Sequence, residues 1–146
     1  MNTKVLQFCF ILVFLFSACE EKVPPVAERI QKVYTAKTVT HDGVTVYTSG
    51  ASGNIVPEYS TYRLDMSVAG KVTLKDVTSE TFTGSFTATD NLLTLSGLSP
   101  QPTGSGGTLT FEITSLSEDG KTLVLTATRV SPKTGNTVNV YTLIAN

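Results

Sequence analysis

Beyond residue 32, apolar side chains recur at every second position in short runs separated by closely spaced turn residues, and no window long enough for a helix carries a period of 3.6. The clearest run sets Tyr62, Leu64, Met66 and Val68 against Arg63, Asp65 and Ser67. Successive side chains of a strand point to opposite faces. Such a chain therefore has to fold as an all-β domain with one wet and one buried face on each strand.

The strands follow by alternation. Residues 33–40 lead to His41-Asp42-Gly43, where Asp-Gly signals a tight turn, and residues 44–49 return. Residues 50–58 hold two glycines, Asn54 and Pro57 and exceed a simple hairpin turn. After residues 62–68 come Val72 and Leu74, then Phe82, Gly84, Phe86 and Ala88, then Leu93 and Leu95. A second long loop, residues 97–107, is rich in Gly and Pro. Leu109, Phe111 and Ile113 follow, then Leu123, Leu125 and Ala127, and finally Val138, Val140 and residues 141–144. About nine short antiparallel segments with mostly tight connections favour an up-and-down barrel of about eight or nine strands over a Greek-key sandwich, which needs long crossovers. Closure removes exposed edges, and a barrel of this size holds its own side chains or one small ligand. Gly84, between Phe82 and Phe86 on one face, marks a bend or a close backbone approach. Ahead of the strands, residues 27–32 allow one helical turn with Ile30 as a lid.

The N-terminus has a different character. Lys4 precedes an apolar run over residues 5–16, interrupted only by Gln7, and Phe16-Ser17-Ala18-Cys19 leads abruptly into Glu20-Glu21-Lys22. A transmembrane helix needs roughly 20 apolar residues, more than this run supplies. The segment resembles a bacterial lipoprotein signal, which implies cleavage before Cys19, acylation of its thiol and anchoring in the outer membrane, facing the periplasm or the exterior. The implied organisation is a signal peptide at 1–18, a lipidated cysteine and tether at 19–28, and a barrel domain at 29–146. Removal of residues 1–18 from the 146-residue chain leaves 128, enough for one domain with a real core. Processing removes Lys4 from the 11 basic residues, leaving ten against 12 acidic ones, a balance that offers no patch for nucleic acid. Cys9 departs with the signal and Cys19 is committed to lipid, so no thiol remains for a disulfide, a metal or a nucleophile.

Within the barrel region, Thr83-Gly84-Ser85-Phe86, Asp90-Asn91-Leu92-Leu93-Thr94-Leu95, Leu109-Thr110-Phe111-Glu112-Ile113, Asp119-Gly120-Lys121-Thr122-Leu123, and Lys133-Thr134-Gly135 with Tyr141 resemble the lipocalin-like domains of Bacteroidetes-type lipoproteins. The resemblance spans residues 33–144. It implies a closed antiparallel barrel with a cavity for a small apolar ligand. Lipocalins carry Gly-x-Trp on the first strand; here Val33-Tyr34 stands in that region, and the chain has no Trp.

Residues able to do chemistry are sparse. His41, the sole histidine, sits beside a turn and reads as a polar turn residue. Asp42, Asp65, Asp76, Asp90 and Asp119 are scattered singly, Lys133-Thr134-Gly135 reads as a turn, and no serine lies in a nucleophile elbow. No catalytic residue, metal site or cofactor is expected, and the chain is read as a non-enzyme. Tyr34, Tyr47, Tyr59, Tyr62 and Tyr141, together with Arg63, are a candidate pocket lining, with core packing as the alternative for Tyr62 and Tyr141. The inward rows Leu64 and Met66, Phe82 and Phe86, Leu109 and Phe111, and Leu123 and Leu125, with Tyr62 and Tyr141, form the expected ligand wall. The two long loops flank the opening if both fall at one end. The leading expectation is a lipid-anchored, monomeric binder of a small apolar or amphipathic molecule. Its rival is a surface or periplasmic protein- or glycan-interaction module with a barrel filled by its own side chains.

Overall fold

A computed structural model describes residues 22–146. Cys9, Cys19 and the signal-like segment lie outside the described residues. Nine strands follow a four-residue helix: β1 (Val33–His41), β2 (Val44–Thr48), β3 (Arg63–Asp65), β4 (Lys71–Lys75), β5 (Thr81–Ala88), β6 (Leu92–Ser99), β7 (Leu109–Leu116), β8 (Thr122–Ala127) and β9 (Asn139–Ala145). From β3 to β9 each strand pairs antiparallel with the next, β3 pairs with β1, and β9 returns to β1, closing an eight-stranded barrel. The expected up-and-down barrel is thus the architecture observed, with β2 as a ninth, added strand.

β2 and β3 share one edge of β1. Thr48 lies opposite Thr38, and only three residues further back along β1, Thr35 lies opposite Arg63. The chain therefore leaves the sheet after β2 and rejoins the same edge at β3. Most of the excursion is surface loop, pinned by Asn54, whose side chain accepts from the Thr48 N–H at 2.7 Å and donates to the Thr48 and Ala51 carbonyls. It ends in a short 3-10 helix, Pro57–Thr61, that places Tyr59 in the core at 1 % exposure.

This detour shortens the strand read over residues 62–68 to Arg63–Asp65. Tyr62 caps the 3-10 helix, and Met66 remains buried, its N–H donating to the Lys32 carbonyl at 2.9 Å instead of continuing the ladder. Asp65 folds back onto the Ser67 N–H and hydroxyl, which ends the strand, and Val68 is exposed. The last strand departs in parity: Asn139, Tyr141 and Leu143 point toward the interior, while Val138 lies at the surface.

One end of the barrel is sealed. Helix α1 (Val26–Arg29) lies across it with Val26 and Ile30 buried, and Arg29 Nη1 donates to the Ser117 carbonyl at 3.0 Å. Ile30 thus lies where a lid residue would, and α1 begins within the segment read as tether. The β7–β8 turn packs so tightly beneath α1 that a Cβ on Gly120 would sit 2.2 Å from the Arg29 carbonyl oxygen. Tyr34 closes the same end, its hydroxyl donating to the Gly120 carbonyl at 2.7 Å; burial pushes its pKa up to about 12.

Candidate functional site

The opposite end is open. A cavity of about 550 Å³ lies between the upper halves of β4, β5, β7, β8 and β9 and the connections β6–β7 and β8–β9. Its volume falls within the range of small-molecule pockets. Alternation decides which side chains reach it. Leu74, Phe82 and Phe111 form its apolar wall, and Tyr62 and Tyr141 close one side.

The expected ligand wall divides between cavity and base. Tyr62, Phe82, Leu109, Phe111 and Tyr141 line the cavity. Leu64, Met66, Phe86, Leu123 and Leu125 are not lining residues; they are buried in the core below it. Strand period fixes which face a residue occupies but not its height along the barrel axis, so one inward row feeds both regions. The 3-10 helix that ends the first long loop is tied to the β4–β5 turn by a Thr61–Ser79 hydroxyl pair at 3.1 Å, and the second long loop runs along the cavity.

The tyrosine group is likewise divided. Tyr59 packs its ring 5.7 Å from His41, 6.1 Å from Tyr47, 6.2 Å from Tyr62 and 6.1 Å from Tyr141, centroid to centroid. Tyr62 and Tyr141 stack at 5.2 Å, and Phe111 meets Tyr141 edge-on at 6.0 Å, carrying the aromatic cluster into the cavity wall. Each such pair adds about 0.5–1.5 kcal/mol beyond the area it buries. Tyr34 belongs to the sealed end instead, and Arg63 is an exposed partner of Asp65 at 3.2 Å. His41 Nε2 lies 2.8 Å from Tyr59 Oη, making it a partner of the aromatic cluster rather than a bare turn residue. Burial lowers the His41 pKa against the opposing pull of Asp42.

Two features were not legible as sites. Asp76 is not solitary. Lys133, from the turn read in Lys133-Thr134-Gly135, reaches across the cavity rim to Asp76 Oδ2 at 2.6 Å, to Glu80 Oε2 and to Thr78 Oγ1 at 3.2 Å, with its ammonium 4.9 Å from the Phe82 ring centre. Burial opposes the charge on Lys133, but the bonds to Asp76 and Glu80 outweigh it and raise its pKa. Asn139, with no exposed surface, accepts from Thr137 Oγ1 at 2.8 Å and donates to Tyr141 Oη at 3.2 Å. Together these contacts hold the β8–β9 connection, including its short 3-10 helix Pro132–Thr134, as a strap beside the cavity. The residues 57 positions apart that meet here carry no local motif. Among the described residues, no three His, Cys, Asp or Glu side chains converge.

No family model matches the chain, and no curated protein matches it. Among solved structures, the fold is similar to that of a lipocalin-like protein from Bacteroides uniformis, with a TM-score of 0.51 and 11 % identity, over 81 % of this chain and 99 % of that one. An uncharacterized protein from Bacteroides eggerthii aligns with a TM-score of 0.49 and 11 % identity, over 79 % of this chain and 98 % of that one. The fold is lipocalin-like.

Proposed function

We propose that this chain is a lipid-anchored, non-enzymatic protein of the cell envelope that holds a small apolar or amphipathic molecule in the open end of its barrel. The observation that carries the reading is the cavity itself, about 550 Å³ with an apolar wall, opening between loops at one end only. An apolar wall of Leu74, Phe82 and Phe111 releases ordered water when an apolar body covers it. Polar groups at the rim then fix orientation. The rival reading, a barrel filled by its own side chains, suits the lower half, where Leu93, Leu95, Leu123 and Leu125 leave no exposed surface. Anchoring rests on the sequence around Cys19, where several acyl chains would hold the protein firmly to a membrane.

Native mass spectrometry of the protein purified from the membranes of its host tests both parts in one spectrum. The expected result is a chain beginning at Cys19 with covalent acyl mass and a non-covalent small-molecule adduct. An unmodified Cys19 overturns the anchoring, and a chain with neither adduct nor uptake of added apolar compounds overturns the binding.

A further inference from the structure

We propose that the Tyr62 hydroxyl is the specificity anchor of the cavity, donating a hydrogen bond to a neutral oxygen (ketone, ester, ether or alcohol) at the buried end of an otherwise apolar ligand. The proposal rests on the reading of the cavity as a binding site and narrows what it takes.

Tyr62 is 4 % exposed and lines the cavity, yet its hydroxyl has no hydrogen-bond partner among the described residues. The hydroxyls of Tyr34, Tyr59 and Tyr141 have partners: Tyr34 donates to Gly120, Tyr59 meets His41, and Tyr141 accepts from Asn139; buried Tyr47 lacks one as well but does not line the cavity. Among the described residues the one polar side-chain atom shut off from solvent without a partner is Arg29 Nε, so the Tyr62 hydroxyl retains accessible surface, and the cavity that Tyr62 lines is where a ligand atom can meet it. The ring cannot swing out to find a partner. It is stacked on Tyr141 and packed on Tyr59, and its backbone N–H is held by the Tyr59 carbonyl at 3.1 Å. The orphan donor is therefore fixed in place beside the cavity.

The surroundings select the partner. Burial, with Tyr141, Tyr59 and Asp76 nearby, raises the Tyr62 pKa well above that of a free phenol, so the group remains a donor throughout the physiological range. Asp76 lies on the same cavity wall, and Lys133 is already shared between Asp76 and Glu80. A carboxylate placed at Tyr62 would be stripped of water beside another carboxylate, whereas a neutral oxygen brings no such penalty. An anionic group finds its cation only at the rim, on exposed Arg129, which makes no ion pair among the described residues.

The test compares the full chain with the same chain carrying Tyr62→Phe. The probes are 6-propionyl-2-(dimethylamino)naphthalene, a ketone whose emission reports hydrogen bonding to its carbonyl, and diphenylhexatriene, a hydrocarbon of similar bulk. Loss of one neutral hydrogen bond should weaken ketone binding about three- to ten-fold and shift its bound emission to the blue, with hydrocarbon binding unchanged. The variant should melt no lower than the parent, because the hydroxyl makes no bond within the protein. In competition, 2-undecanone should displace the ketone probe more effectively than decanoate. Equal ketone affinity and emission in both chains, or stronger displacement by decanoate, overturns the proposal. Parallel loss of both probes with a lowered melting temperature also overturns it, by making Tyr62 a packing residue. Failure of either probe to bind the parent strikes instead at the cavity as a binding site.

Discussion

At the scale of the residue, His41 offers a direct reading of the aromatic cluster because it is the chain's single histidine. Its imidazole signals in a proton NMR titration need no assignment, and they should give a pKa below the ordinary 6.5, since burial disfavours the charged ring. The sign for stability follows. The folded pKa is depressed, so the neutral ring's contribution is complete above the unfolded value of 6.5 and is lost as pH falls through the folded one. A midpoint at or above 6.5 would contradict the packing of His41 against Tyr59. Gly84 shows how much one residue can disclose in sequence: a Cβ there would lie 2.6 Å from the Ser96 carbonyl oxygen, the close approach expected of a mid-strand glycine. The pairing also shifts by one residue between Thr83 and Ser85, which supplies the bend. Asn139 shows the opposite. Amid Thr-Val-Asn-Val-Tyr, hydropathy favours an inward Val138 and Val140, but the hydroxyls of Thr134 and Thr137 make an inward Asn139 the satisfied choice. Those hydroxyls reach it by way of a turn that alternation does not describe.

Elements were legible where each strand meets its sequence neighbour. The pairings from β3 through β9 follow chain order, so local turns and alternation together suffice to find them. They were less legible where an element owes its form to distant partners. The 3-10 helix at Pro57–Thr61 exists because Tyr59 gains a buried aromatic site, and nothing within residues 50–61 announces that site. The strap between β8 and β9 is the other case. Lys133 and Asp76 are each only 15 % exposed, so their ion pair is screened far less than a surface pair. Lys133→Met keeps the aliphatic stem over Phe82 but leaves Asp76 without its cation, at a cost of about 1–3 kcal/mol. Hydrogen exchange should then accelerate across residues 128–138 and the β4–β5 turn, with the barrel strands unaffected. Uniform acceleration over all strands, or none at all, would show that Lys133 does not fasten the strap.

At the scale of the molecule, closure is the organising fact. β9 supplies two ladders at once, to β8 and to β1, and its Leu143 has no exposed surface. Deleting residues 139–146 should therefore abolish cooperative unfolding and yield a chain that associates through the bared edges of β1 and β8, measurable by scattering and by loss of a single thermal transition. A soluble, monomeric product with a sharp transition would show that closure is dispensable.

Helix α1 has a geometric consequence as well. Residues 22–25 enter the structure at the sealed base, and the final strand runs back to that base, where the Asn146 N–H meets the Val33 carbonyl at 3.1 Å. Among the described residues neither end of the chain crosses the rim, so its loops can lengthen, shorten or exchange residues without disturbing the base. The barrel is thus built like a socket: a closed foot and an interchangeable lip.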